Sequence, residues 1–315
     1  MMILFNEAIA RAMRDDPYIP PAPVDDINKP LTFHAGQDGS TVALEKIGSA
    51  WGDFEISMDG DEWEDYVVST PITLNRGHYV SFRAKTTAGA PYESYWHFVM
   101  SGKINAYHNI NSMASVDFLN LTEIKQRQFQ YLFDGCTALY KAPLISSVHL
   151  YVDTVTSERV GRQYEGCFCG CTSLTKAPAL PLPNLRPSCC ASMFENCTSL
   201  VEAPELPNVP LSRGCFGSMF MGCTSLIKAP ELFSETISSA AMSAYGGMFA
   251  GCSSLREVRC HLTVYPTNPV STTNWLAGVA ETGDFYCDPS VEYPTGASGI
   301  PENWVRHSLS DYPDD

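Results

Sequence analysis

The chain has 315 residues, 44% of them hydrophobic, and a formal charge of −15 from 20 Lys and Arg against 35 Asp and Glu. This acidity excludes a sequence-independent grip on nucleic acid, which depends on neutralising phosphates. It also disfavours adsorption to an anionic membrane surface, and no run reaches the eighteen or so apolar residues of a membrane helix, so membrane insertion is not expected.

Residues 1–30 read as an N-terminal arm and Pro-rich linker. Phe5, Ile9 and Met13 fall at i, i+4, i+8 and make one short apolar helical stripe. The prolines of DDPYIPPAP (15–23) end it. A stripe this short is not stable alone; it packs back on its own domain or anchors the chain to a partner, and the stiff spacer after it favours a partner. MMILF gives only five apolar residues before Glu7, and the first basic residue is Arg11. That is not the pattern of a secretory signal, so synthesis in a host cytoplasm is expected. The twelve cysteines would remain thiols there.

Residues 31–110 read as a β-sandwich-like cap domain. LTFHA, TVALEKI, FEISM, PITLN and HYVSFRA alternate and carry β-branched or aromatic residues between Gly, Asp and Asn. FEISMDGDEWEDY (54–66) predicts a hairpin turning at Asp59-Gly60. YWHFVMSGKINAYHNI (95–110) predicts a long strand or a strand pair.

Residues 111–262 are internally repetitive. GCTAL, GCTSL, NCTSL, GCTSL and GCSSL place Cys136, Cys171, Cys197, Cys223 and Cys252 in one frame, roughly thirty residues apart, a period typical of repeat architectures. Three places before each cysteine stands Phe133, Phe168, Phe194, Phe220 or Phe249; three after stands Leu139, Leu174, Leu200, Leu226 or Leu255. These fifteen residues form the predicted repeat core. An aromatic or Cys at −7 (Phe129, Tyr164, Cys190, Phe216, Tyr245) completes a helical-looking spacing, so the stretch before each cysteine is read as a short helix. The Leu and following Lys/Glu-Ala-Pro step is read as a very short strand, because proline forfeits a ladder bond. The predicted class is therefore mixed α+β, with a small β-sandwich-like domain and a solenoid of stacked repeats, followed by residues 263–315.

Other chemistry is weighed against this. CFCGC (167–171) and the Cys189-Cys190 pair invite zinc, but lack the paired spacing of structural sites. Cys189 and Cys215 share a register, so a ladder disulfide is open on geometry and opposed by the compartment. Asp59, Asp61, Glu62, Glu64 and Asp65 could offer oxygens to calcium, but Trp63 interrupts any EF-hand spacing. Seven scattered histidines join no nucleophile or phosphate-binding motif, so no enzyme activity and no cofactor or metal is expected. Trp51, Trp63, Trp96, Tyr92 and Tyr95 are core residues or a sugar-stacking face.

The block MFxGCTSLxKAPxLP resembles BspA-type leucine-rich repeats, found in surface proteins of gut and oral bacteria and in proteins of their phages. The segment 275–305 and the DGDEW-containing β module are similar to the caps of such arrays. The resemblance implies a leucine-rich-repeat solenoid over 111–262 with a C-terminal cap and tail over 263–315, and recognition or adhesion. The expectation is a phage virion structural protein, a fibre, decoration or adhesion component, anchored through residues 1–30 to a virion or other assembly protein. Its repeat surface would meet a host-cell glycan or protein through side chains such as Lys176, Glu202 and Lys228. A bacterial surface adhesin and, more weakly, a carbohydrate-active enzyme are the alternatives, and homo-oligomerisation is left open.

Overall fold

A computed structural model of the chain describes residues 22–88, 94–151, 161–266 and 269–312. Phe5, Ile9 and Met13 lie outside the described residues. The described end of the linker lies against the β module: Lys141 Nζ reaches Asp25 Oδ2 at 2.7 Å, and Asn109 Nδ2 donates to the Ile27 carbonyl.

Two antiparallel sheets share a core. One contains β1 (Thr32–Ala35), β3 (Phe54–Met58), β4 (Glu64–Asp65), β6 (Tyr79–Ala84) and β8 (Ile104–Tyr107); the other contains β2 (Ser40–Ile47), β5 (Ile72–Leu74) and β7 (Tyr95–Ser101). Their inner faces meet through Phe33, Phe82 and Phe98, with ring centroids 4.7–5.7 Å apart in edge-to-face geometry. The hairpin forms where the sequence predicts it. Asp59 and Gly60 both take positive φ, 49° and 84°, and β3 pairs β4 with Glu55 opposite Asp65. YWHFVMSGKINAYHNI divides at Gly102 into β7 and β8, which enter different sheets.

The remaining strands are short: β9 (Glu123–Ile124), β10 (Leu139–Lys141), β11 (His149–Leu150), β12 (Glu257–Arg259), β13 (Asp284–Cys287) and β14 (Val305–Ser308). β10 adds in parallel to β8, β11 pairs β9, and β12-β13-β14 make a separate parallel sheet. Among the described residues no helix is long and apolar enough to cross a membrane.

The predicted class is corrected by this arrangement. The helical elements described are five 3₁₀ turns of three or four residues, with no α-helix, and the strands gather into small separate sheets rather than the continuous wall of a leucine-rich-repeat solenoid. Two physical reasons account for it. First, the stretch before each cysteine is a run of turns. Every fourth residue, at −9, −5 and −1, is left-handed: Ser188, Ser192 and Asn196 in the third unit have φ of 53°, 52° and 59°, and Gly214, Ser218 and Gly222 occupy the same places in the fourth. An α-helix keeps φ near −63° and bonds each N–H to the fourth preceding carbonyl. Here alternate N–H groups close three-residue turns, such as Cys197 N–H to Phe194 O. The others donate to the next unit, such as Phe194 N–H to Met219 O at 2.9 Å. Second, the Ala-Pro steps interrupt the other side. Lys176 bridges Glu202, and Lys228 bridges Glu257, but among the described residues no bridge joins Glu202 to Lys228.

What the units build is a stack of turns. Phe98 of β7 starts a column of nearly parallel rings that continues through Phe133, Phe168, Phe194, Phe220 and Phe249, with centroids 5.2–5.7 Å apart and interplanar angles from 3° to 13°. All fifteen predicted repeat-core residues are buried. The turn N–H groups of the fifth unit donate in the same way to Ser271, Thr273, Trp275 and Ala277. Asn274 and Gly278 repeat the left-handed positions, so WLAGV is a sixth unit with Leu276 for Phe and Val279 for Cys.

Candidate functional site: a groove on the β module

The frame cysteines are hydrogen-bond donors. Cys136, Cys171, Cys197, Cys223 and Cys252 each direct Sγ at the main-chain carbonyl of Phe98, Phe133, Phe168, Phe194 or Phe220 in the layer before, at 2.9–3.1 Å. Burial raises all five thiols, Cys252 to about 12, so they stay protonated and can donate. All twelve cysteines are free thiols. Among the described residues no group of three or more His, Cys, Asp or Glu side chains is placed to hold a metal ion. Since the thiolate is the nucleophile, native protein treated with an alkylating reagent at pH 8 should label slowly. Half-buried Cys169, itself raised to about 12 by burial and by Asp134, should react ahead of the frame cysteines. Prompt labelling of the frame cysteines, read by peptide mass mapping, would contradict their place in the stack.

The predicted contact residues are engaged in ion pairs. Lys176 pairs with Glu202 at 2.5 Å and Lys228 with Glu257 at 3.1 Å. Where the Ala-Pro bridging lapses, a groove of about 380 Å³ opens beside Glu202 and Lys228. Tyr312 crosses it from the C-terminal side. Its hydroxyl donates to Glu257 at 2.7 Å, and its ring lies under Lys228 and Arg259. The hydrogen bond to Tyr312 and the Glu257 carboxylate raise the Lys228 ammonium. These exposed pairs each contribute little, about 0–1 kcal/mol.

A larger groove, about 700 Å³, opens on the β module between the β3–β4 hairpin, the start of β6 and the segment entering β1. The volume is of the size that holds small ligands. The hairpin tip supplies Asp59, Asp61 and Trp63. Asp59 Oδ1 accepts the Tyr79 N–H at 2.9 Å, and Oδ2 lies 2.7 Å from His78 Nδ1. The carboxylate only accepts, so His78 Nδ1 carries a proton and donates it to Asp59. Burial, with Asp59 and Asp61, raises the Tyr79 phenol and keeps it a donor. On the opposite side the Asp26 N–H donates to His108 Nδ1 at 3.1 Å, which puts the His108 proton on Nε2. Burial and Lys29 lower the His108 imidazolium and favour this neutral form. Trp63 is held by the Arg83 guanidinium, 4.1 Å from the ring centre, and Arg83 is itself fixed by Glu55 at 2.9 Å.

Comparison with protein-family models, curated proteins and solved structures gives no match. The site is therefore read from its own residues. Of the aromatics singled out in the sequence, Trp63 lines the groove, Trp96 is buried in the core and Trp51 is exposed; Tyr92 lies outside the described residues. The acidic cluster does not act together. Asp59 serves His78 and Tyr79, while Asp65 pairs with Lys85 at 2.6 Å. His78 and His108 escape sequence reasoning because they lie thirty residues apart, and the groups that orient them, Asp59 and the Asp26 amide, belong to other segments.

Proposed function

We propose that this chain is a non-enzymatic structural protein of a phage particle, a fibre, decoration or adhesion component. Residues 1–30 attach it to the particle, and the β module and turn stack are displayed towards a host-cell glycan or protein. The observation that carries this reading is the division of labour along the chain. The repeats spend their amides, thiols and rings on one another, which suits a rigid support. The β module, in contrast, offers an open groove of ligand size. The resemblance of the repeat motif to BspA-type proteins supplies the phage setting.

The test has two arms. Particles assembled with protein lacking residues 1–25 should lose the protein, and the purified full chain should adhere to host cells. Unchanged incorporation of the truncated chain ends the anchoring role. Anchoring to a bacterial envelope instead of a particle would favour the adhesin reading. Turnover of any glycan during the adhesion assay would overturn the non-enzymatic assignment.

A further inference from the structure

His78 and His108 are each more than nine-tenths buried, at 9% and 4% exposure, and both border the β-module groove. Each has one ring nitrogen committed, to Asp59 and to the Asp26 amide. Among the described residues neither Nε2 has a hydrogen-bond partner, and both histidines line the groove. The Asp26 amide fixes His108 as an Nε2–H donor. The two imidazoles therefore give the groove wall separate groups able to hydrogen-bond a ligand's hydroxyls.

The rest of the wall fits the same chemistry. Tyr79 adds a phenolic hydroxyl, and Asp61 a carboxylate at the exposed rim. Trp63 adds an aromatic surface held from one side by Arg83. An indole held rigid is suited to the apolar C–H face of a pyranose ring, with its hydroxyls turned to the imidazoles. Gly60 keeps the site open, because a Cβ there would stand 3.1 Å from the Tyr79 hydroxyl. Asp59 and Asp61 outnumber Lys29 in the wall and, with the chain's charge of −15, oppose an anionic ligand.

We infer that the β-module groove is a binding site for an uncharged saccharide, stacked on Trp63 and held through its hydroxyls by His78, His108 and Tyr79. This rests on the recognition reading above and names the ligand class of the site.

The test applies the full chain to an array of neutral, sialylated and sulfated oligosaccharides, followed by calorimetry on the ligands that bind. Neutral oligosaccharides should bind, and the acidic ones should not. Trp63→Ala should weaken binding about tenfold or more, and Trp63→Phe should restore most of it. His78→Phe, which removes the imidazole nitrogens, should weaken binding by a similar factor. Thermal melting checks that each variant is folded, and Trp63, only partly buried, is the variant expected to melt as the parent does. A preference for acidic glycans, or neutral binding unchanged in Trp63→Ala, overturns the inference. So does an array with no neutral ligand. If the chain still adheres to host cells in that case, recognition by another surface stands; if adhesion is absent too, both readings fall.

Discussion

Phe220→Ala should lower the free energy of unfolding by about 3–5 kcal/mol, the cost of a large-to-small change in a core that cannot close over the cavity. Phe220 is fully buried, with Phe194 and Phe249 each 5.7 Å away and within 8° of parallel. Collapse is blocked on both sides. Phe194 N–H is bonded to Met219 O and Phe220 N–H to Met248 O, each at 2.9 Å, so the layers cannot slide together. The Phe220 carbonyl also accepts the Cys252 thiol, and a shifted backbone would lose that bond. Ile227→Ala provides the contrast. Ile227 belongs to the same unit but is 54% exposed, and its truncation should stay within about 0.5 kcal/mol. Urea unfolding of both variants checks the pair. A loss below about 1 kcal/mol at Phe220 would mean that its ring is not part of a stacked column.

The contrast between these two residues also shows what could be read from the chain directly. Phe at −3, Cys at 0 and Leu at +3 recur because each occupies an interior point of a stacked layer, and strict registration needs no knowledge of the backbone between. The conformation of that backbone was less accessible. Apolar residues at −7 and −3 satisfy both a 3.6-residue helix and a four-residue chain of turns. The distinction lies in the left-handed residues at −5, where Tyr131, Gly166, Ser192, Ser218 and Gly247 share a φ sign and not a residue type. Gly or Asn at −1 was the visible half of the signal. The sixth unit was hidden in a similar way, because Val279 replaces the cysteine and removes the thiol donor while Asn274 and Gly278 preserve the turns. For the site, Trp63 could be named as one aromatic among several. The placement of His78 and His108 in one groove wall could not, since it arises only when β6 and the end of β8 come to border that groove. Lys176, Glu202 and Lys228 drew attention as a periodic charged face, and their period is what lets Lys176 pair with Glu202 in the following unit.

The sign of a single substitution separates turns from helix. Gly166 has φ of 61° and donates its N–H to Ala191 O at 2.9 Å in the next unit. In a helix, Gly166→Ala would stabilise the protein by about 1 kcal/mol through reduced backbone entropy in the unfolded chain. In the turn stack it should destabilise by roughly 2–5 kcal/mol, combining about 1–2 for an L side chain held left-handed with about 1–3 for overpacking. The overpacking has a named partner, because a Cβ on Gly166 would run into the ring of Tyr131, the residue at the same register in the preceding unit. Tyr131 cannot swing away freely, since its ring packs 5.3 Å from Tyr95 of β7. A double-mutant cycle with Tyr131→Ala resolves the two contributions. Removing the ring should recover the overpacking part and leave the backbone strain, giving a coupling within the range expected of residues in contact, about 0.5–3 kcal/mol. Stabilisation by Gly166→Ala alone would overturn the turn geometry. Strict additivity in the cycle would separate Tyr131 from Gly166 and break the register between the first two units.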